Sequence, residues 1–253
     1  GRGAAFGGAG PTASPAELPV KGRSLCGFGV SWEQTLLVAS SGSLWAAGQN
    51  SAHCLFEERS EGPQAAGKVD LLELDGQRVE AVAGGRSHII AILEEGDRVL
   101  SWGHSNELGQ LGHGGAASAA SVAPKAVALP APRMMVRQVA CGEAHSLVLT
   151  VAGAVFAFGD NSFGALGLGS PASAIASTAQ PLQVDGGALL AAPVRAVAAG
   201  AQHSLALTLD GDVVAWGCGE HGRLGLGETH GDIVGTPSRV PALPMPAECI
   251  AGG

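Results

Sequence analysis

The chain has 253 residues, of which 46% are hydrophobic and 14% are charged, and its formal net charge at pH 7 is -8. This composition predicts a packed globular protein and argues against disorder. No apolar run reaches the roughly 18 residues that a membrane helix needs, and the 14 Lys and Arg are too scattered to form a basic stripe, so we expect a soluble protein that binds neither membrane nor nucleic acid.

The N-terminal third contains a partial repeat and then a degenerate complete one. Residues 5–10 match residues 162–167 further along, so we interpret residues 1–24 as the end of one repeat. In residues 25–78 the same pattern continues in phase, with Gln34 where later copies have His, Gly42 at the turn and Gly48 at the end of the third strand.

Three clear copies follow at residues 79–135, 136–193 and 194–248. Each copy reads as an apolar strand, a Gly, a His, a second apolar strand, a Gly turn, and a third strand that ends on an aromatic residue and Gly. The histidines recur at intervals of 57 and 58 residues, and such a period indicates an array of one structural unit. The repeated positions are His88, His145, His203, Trp102, Phe158, Trp216, Gly103, Gly159 and Gly217.

Each copy has the pattern of a β-meander. In the copy at residues 136–193, residues 136–140, 146–150 and 154–158 are short runs rich in branched residues and separated by Gly, which is typical of strands. A fourth strand is expected near residues 124–127 and 237–240 of the neighbouring copies. Four antiparallel strands of this length form one blade of a β-propeller, so we predict an all-β chain, 1–253, that is a single partial propeller domain.

The last residues, 249–253, match the start of the next copy and predict a second partial repeat. The array would therefore begin inside one repeat and stop inside another. We expect four blades plus partial ones at both ends, with the ring completed by residues outside this chain or by a partner.

The recurring histidines allow two interpretations. They would be bases or metal ligands if they converged, but a residue that occupies the same place in every copy is typical of a structural role. We therefore expect each His to satisfy backbone groups at a strand entry. The five cysteines include no CxxC pair, which favours reduced thiols and a cytoplasmic or nuclear location.

Several short motifs imitate functional sites. Residues 217–222 match G-x-G-x-x-G but continue into the Gly-rich loop of the repeat instead of a helix. Residues 62–68 resemble a phosphate-binding loop, yet Val69 stands where Ser or Thr is required, so we expect a polar loop between blades. The Cys–His spacings at Cys141 and Cys218 would be held on separate blades. We predict no catalytic residues, no cofactor and no metal.

Residues 194–227 combine Val-x-x-Val-Ala-x-Gly-x-x-His-Ser-Leu-x-Leu-Thr, Gly-x-Val-x-x-Trp-Gly and Gly-x-Leu-Gly-x-Gly. This pattern resembles the repeat of the regulator of chromosome condensation family, and the resemblance covers roughly residues 25–241. It implies a seven-bladed propeller that binds partners on its loop faces. Its founding member is a guanine-nucleotide exchange factor for a small GTPase, and other relatives lie within ubiquitin ligases, kinases, photoreceptors and assembly factors.

The function therefore stays open between three alternatives. A non-catalytic interaction propeller is favoured, and an exchange factor for a small GTPase or the recognition domain of a larger ubiquitin ligase or kinase is the competing interpretation. The loops after the third strands differ between copies, so a partner can read them. The candidate partner-binding residues are His104, Asn106, Glu107, Asp160, Asn161, Phe163, Glu220, His221 and Arg223.

Overall fold

The fold is known from a computed structural model. It describes residues 24–51, 54–56, 62–69, 71, 74, 76–114, 121–131, 134–169, 177–190, 192–227, 231–241, 243 and 245–253. The partial repeat predicted for residues 1–24 lies outside this part of the chain apart from residue 24. None of the helices in the described ranges has the length and apolar character to cross a membrane.

The described residues form four sheets of four antiparallel strands, each in sequential order, which confirms the predicted all-β fold of four-stranded blades. We number the blades 1 to 4 along the chain. The strands are β1 (Leu25–Val30), β2 (Gln34–Ala39), β3 (Leu44–Gln49), β4 (Pro63–Lys68), β5 (Val79–Gly84), β6 (His88–Leu93), β7 (Val99–Gly103), β8 (Ser121–Ala126), β9 (Val136–Cys141), β10 (His145–Thr150), β11 (Val155–Asp160), β12 (Ser177–Gln183), β13 (Val194–Ala199), β14 (His203–Thr208), β15 (Val213–Cys218) and β16 (Ile233–Arg239). Short 3-10 turns lie at Glu94–Gly96, Gly187–Leu190 and Glu220–Gly222.

The blades fan around one side that is lined by their first strands. β1 contacts β5, β5 contacts β9, and β9 contacts β13, whereas the fourth strands of successive blades make no comparable contacts in the described structure. The first strand of each blade is therefore innermost and the fourth is outermost. This is the arrangement of a propeller.

Alternate residues of the second strands explain the packing. Ile89 and Ala91 face blade 1, in a buried cluster that includes Trp102 and Leu36. Ile90 and Ile92 point the other way, into the cluster that blade 2 shares with blade 3. Because side chains alternate across a strand, a continuous apolar run buries both faces of the sheet. Each fully buried Ile or Leu contributes about 1.5–3 kcal/mol to this packing.

The outermost strands accept residues that a central strand would not. β8, β12 and β16 contain Pro124, Pro181 and Pro237, which lack the N–H needed for a further partner and therefore suit an edge. Residues 63–68 form β4, the outer strand of blade 1. Our expectation of a polar inter-blade loop at residues 62–68 was therefore wrong, because this segment pairs with β3.

The first strand of blade 1 exposes its outward face. Phe28 is 78% exposed, whereas Val82, Val139 and Val197, at the same place in the later blades, are buried against the preceding blade. At the other end of the array, residues 247–253 run beside β13. The guanidinium of Arg195 donates to the carbonyls of Ala247 and Glu248. The leading face of blade 1 is thus an inter-blade surface without a blade against it in the described structure.

Candidate partner-binding face

One end of the blades carries all the predicted loop residues. Here the turns between first and second strands (residues 31–33, 85–87, 142–144 and 200–202) meet the loops after the third strands (104–112, 160–167 and 219–227). We call this end the histidine face, since His88, His145 and His203 lie just beneath it and are buried. The buried residues directly beneath this face form what we call its supporting layer, and the exposed side chains above them form its surface layer. The supporting layer repeats between blades, whereas the surface layer does not.

The supporting layer begins with the Gly that stands three residues before each His. A methyl group on Gly85, Gly142 or Gly200 would run directly into the Nδ1 and Cε1 side of the imidazole that follows it. The ring therefore lies directly against the Gly backbone, and any residue with a Cβ atom at that position would overlap it. This contact explains why Gly and His recur together.

The imidazoles of His88 and His145 each reach across to the next blade. The Nε2 atom of His88 lies 2.9 Å from Oγ of Ser146, and Nε2 of His145 lies 2.9 Å from Oγ of Ser204. We call this pair the His–Ser latch. We expected the histidines to bond backbone groups. His88 does have a backbone hydrogen bond, with His145, and the structure in addition pairs His88 and His145 with serine hydroxyls on the following blade.

The serine fixes the proton arrangement of the latch. Oγ of Ser204 donates its only proton to the carbonyl of Ala165, at 2.7 Å, so the imidazole of His145 must be the donor at Nε2. Burial lowers the pKa of His145 to about 4, an effect that the Asp160 carboxylate partly opposes. Burial, with smaller contributions from His145 and His104, lowers the pKa of His88 to about 3. Both imidazoles are neutral at pH 7.

The interface between blades 1 and 2 lacks the latch on both sides. Gln34 replaces the His and donates to the carbonyl of Gln49 within its own blade. The position after His88 is Ile89 instead of Ser, and it packs into the apolar cluster of this interface. The donor and the acceptor have therefore been lost together, which leaves no unpaired hydroxyl at this contact.

The aromatic–Gly step adds a second contact between blades. The indole of Trp102 donates to the carbonyl of Cys54 at 2.7 Å, and that of Trp216 donates to the carbonyl of Ala165 at 2.8 Å. The Gly that follows, as in Gly103 and Gly217, has a positive φ and lies against the backbone just before the His. Gly159 does the same after Phe158, which is fully buried but has no N–H to donate.

Asn106 and Asn161 belong to the supporting layer, and our assignment of them to the exposed rim was wrong. Each is only 2% exposed. Oδ1 of Asn106 accepts the amide of Leu111, and Oδ1 of Asn161 accepts the amide of Leu166, each at 3.0 Å. A buried side-chain amide of this kind closes the loop around its own backbone, so neither side chain is available to a partner.

Three predicted residues come together at a cleft of about 380 Å³ between blades 2, 3 and 4. His104 and Asp160 line it, together with the half-buried ring of Phe163 and with Leu108, Arg86 and Glu143. Phe163, one of the predicted partner-binding residues, is therefore only partly accessible. We call this space the cleft, and it is the concave part of the histidine face.

The other four predicted residues lie elsewhere. Glu107 is exposed but does not line the cleft. Glu220, His221 and Arg223 are exposed on the loop of blade 4, where Nε of Arg223 donates to the backbone carbonyl of Glu220. His221 has a φ of 58°, which an L-residue other than Gly rarely adopts. The structure does not bring this group together with the cleft residues.

Sequence reasoning missed a row of side chains beside the cleft. Trp32 is 71% exposed, and the guanidinium of Arg86 lies 5.2 Å from the centre of its ring. NH1 of Arg86 also pairs with Oε1 of Glu143 at 2.6 Å. These three residues stand two positions before Gln34, His88 and His145, so counting back from the repeated position in each copy would have found them.

Main-chain hydrogen bonds join the turns that carry this row. The amide of Trp32 donates to the carbonyl of Gly85, that of Arg86 to Glu143, and that of Glu143 to Ala201. The turns are thus linked from blade to blade by backbone groups alone. Their side chains are free to differ between copies, and they do.

The thiol of Cys141 lies beneath the histidine face, at the end of β9. Burial raises the pKa of the Cys141 thiol to about 12, with a side-chain hydrogen bond between Cys141 and Ser146 opposing the shift, so this thiol is not a nucleophile at neutral pH. Within the ranges that the structure describes, no three His, Cys, Asp or Glu side chains converge as metal ligands.

These repeats are similar to those of known proteins. The profile of the regulator of chromosome condensation (RCC1) repeat matches residues 96–149, 152–207 and 210–253. The ultraviolet-B receptor UVR8 of Arabidopsis thaliana is 35% identical over 215 residues, which are 84% of this chain and 44% of that protein. The chain therefore spans less than half the length of this relative.

Solved structures agree on the fold. The crystal structure of human WBSCR16 is 27% identical with a TM-score of 0.72, and the match covers 86% of this chain and 55% of that one. Yeast RCC1 (Prp20), solved with Kap60 bound, also gives a TM-score of 0.72, at 24% identity, covering 88% of this chain and 50% of the other.

Proposed function

The chain belongs to the regulator of chromosome condensation repeat family, and we propose that it is a non-catalytic protein-binding propeller whose partner docks on the histidine face. The observation that carries this proposal is the contrast between the two layers of that face. The latch joins blades 2, 3 and 4, the loop asparagines recur in blades 2 and 3, and the aromatic–Gly step recurs in blades 2 to 4, whereas the residues above them differ in every copy.

The surface layer has the features of a binding site. Trp and Arg are the residues most often found at the energetic centre of a protein interface, and here an exposed Trp32 lies against Arg86. The ion pair of Arg86 with Glu143 holds the guanidinium in place before any partner arrives, which lowers the entropy cost of binding. The adjoining cleft gives a partner a depression to fill.

The five cysteines are all free thiols, which fits a protein of the cytoplasm or nucleus. The match covers only 44% to 55% of the relatives, and the exposed Phe28 face has the composition of an inter-blade contact. We expect further blades, or a partner in their place, to complete the ring. The proposed partner is a protein, and a small GTPase is one candidate that the experiments below test.

Photocrosslinking tests the proposed face. A benzophenone amino acid is placed at Trp32 on the histidine face, and at the exposed Leu209 at the opposite end of the strands as the matched control. We expect crosslinks to a specific partner from Trp32, abolished by excess unlabelled chain, and none from Leu209. Equal crosslinking from both positions, or crosslinks from Leu209 alone, would refute the docking face.

Affinity measurements with the captured partner complete the test. W32A removes a large exposed contact, so we expect at least about a thirtyfold loss of affinity, which is typical of an interface centre. If the partner is a GTPase, its rate of nucleotide release separates the two functions. Capture without faster release supports a binding propeller, and accelerated release supports the exchange-factor alternative.

A further inference from the structure

We infer that the cleft receives an arginine side chain of the protein partner; this inference rests on the proposed function and adds the chemistry that the cleft selects. The starting point is the charge balance of the lining. Arg86 already neutralises Glu143 through their ion pair. The Asp160 carboxylate is the lining charge that remains, because no cation of the described residues pairs with it.

The Asp160 carboxylate is held in position through one of its two oxygens, and the other oxygen has no hydrogen-bond partner among the described residues. Its Oδ1 accepts both the amide of Ser162, at 2.9 Å, and the hydroxyl of the same residue, at 2.6 Å. Its Oδ2 accepts no hydrogen bond from any residue that the structure describes. A carboxylate oxygen without a hydrogen-bond partner is a strong acceptor for a charged donor, and the local turn holds Asp160 in place without occupying this oxygen.

The walls of the cleft suit the rest of an arginine. Phe163 presents a half-buried ring three residues after Asp160, and Leu108 is 38% exposed on the blade 2 side. A guanidinium stacks on an aromatic face while it donates in its own plane to a carboxylate. The apolar stem of an arginine covers aliphatic surface at the same time. A lysine would satisfy the charge but not the stacking.

The neighbouring groups favour a cation over an anion. His145, at the floor, is neutral because of its burial, and the Arg86 guanidinium is engaged by Glu143 and by the Trp32 ring. An anionic side chain would meet Asp160 with no unpaired lysine or arginine among the described residues that line the cleft. The formal charge of -8 for the whole chain also attracts a basic segment.

The test uses the intact chain labelled with ¹⁵N and three probe peptides, Ac-GSGXGSG-NH₂, in which X is arginine, lysine or citrulline. We expect the arginine peptide to shift the amide signals of residues 160–165 in a saturable manner with a Kd of about 1 mM. Citrulline keeps the shape but loses the charge, so its affinity should be at least about tenfold lower. The lysine peptide should bind about threefold more weakly than arginine.

Variants locate the contacts. D160N keeps an oxygen for the Ser162 hydrogen bonds, so it should fold normally yet weaken arginine binding about tenfold. F163L keeps an apolar side chain and should weaken it about threefold. D210N, which removes an exposed carboxylate at the opposite end of the strands, is the matched control and should leave the affinity unchanged.

Two results would overturn the inference: equal binding of arginine and citrulline peptides, or unchanged arginine affinity in D160N. Either result leaves the proposed function standing if crosslinking from Trp32 still captures a partner. Conversely, arginine binding without any capture from Trp32 would refute the docking face and retain the cleft chemistry. The two claims can thus fail separately.

Discussion

The latch histidines should make the stability of the propeller fall steeply on mild acidification. Burial holds the pKa of His88 at about 3 and that of His145 at about 4, whereas the ordinary value is 6.5. Because the folded-state pKa is the lower one, the unfolded chain binds protons first as the pH falls. The contribution of each histidine to stability is therefore present above pH 6.5 and is lost progressively as the pH falls from 6.5 to about 4 for His145 and to about 3 for His88.

The size of the effect follows from linkage. Each buried imidazole lowers the free energy of unfolding by about 1.4 kcal/mol per pH unit within that window. Between pH 7 and pH 5 the loss is about 2 kcal/mol for each histidine, and about 4 kcal/mol for His88 and His145 together. This is a large share of the roughly 5–15 kcal/mol that stabilises a typical domain.

The assay is urea unfolding of the wild-type chain and of H145Q at pH 7, 6 and 5. Glutamine is the natural choice, because Gln34 occupies the same repeat position in blade 1 and its amide can still donate to a serine. H145Q should lose about 2 kcal/mol less than the wild type between pH 7 and 5. H104Q, which removes an exposed histidine, is the control for the substitution itself.

Equal pH dependence of H145Q and the wild type would show that the latch imidazole is not a buried neutral group, and the reasoning above would be wrong. A wild-type stability that stays constant from pH 7 to 5 would lead to the same conclusion. Carboxylates titrate mainly below this range, so the difference between the two proteins isolates the histidine.

Three further predictions concern the supporting layer. S204A leaves the imidazole donor of the latch unpaired, so it should lower the free energy of unfolding, measured in urea, by about 1–3 kcal/mol. An unchanged free energy would show that the latch does not stabilise the fold. G142A places a methyl group against the latch imidazole and should lower the free energy of unfolding by about 3 kcal/mol or more. G231A, which has open space around it, is the control and should change that free energy by no more than about 0.5 kcal/mol. Similar losses for both variants would contradict the steric explanation. N161A removes the acceptor for the Leu166 amide, and hydrogen exchange at that amide should become about tenfold faster or more, while unchanged exchange would mean that water serves the loop equally well.

The fold was predictable because its determinants are local. Alternating or continuous apolar runs of about six residues, separated by Gly, specify strands without reference to the rest of the chain. The repeat then implies that each sheet buries its faces against its neighbours. Pro63–Lys68 was the exception, since its Gly, Ala and Pro content resembles a loop and only its place at the outer edge allows it to pair.

The supporting contacts were not predictable because they join residues far apart in the chain. Ser204 lies 59 residues from His145, and no local pattern marks it as the partner of that ring. Asn106 and Asn161 looked like surface residues, since polar loop residues usually are exposed. Only the closed shape of the loop shows that their amides face inward.

Trp32 was missed for a different reason. Its copy has Gln34 in place of His, so it received less weight than the clear copies, and a residue that differs in every repeat has no motif to reveal it. The row Trp32, Arg86 and Glu143 becomes visible only once the turns are superposed by position. Comparison of the copies within one chain thus distinguishes the buried residues that repeat and support the histidine face from the exposed residues that differ between copies.

The main-chain bonds that join the turns from Gly85 to Ala201 also bear on how such a protein changes over time. Amide and carbonyl groups are the same in every residue other than proline, so exchanging a side chain at these turns leaves the linkage intact. New affinities can therefore arise through a handful of substitutions without passing through unstable intermediates. The same freedom makes these positions suitable for randomisation in a library that selects binders of unrelated targets.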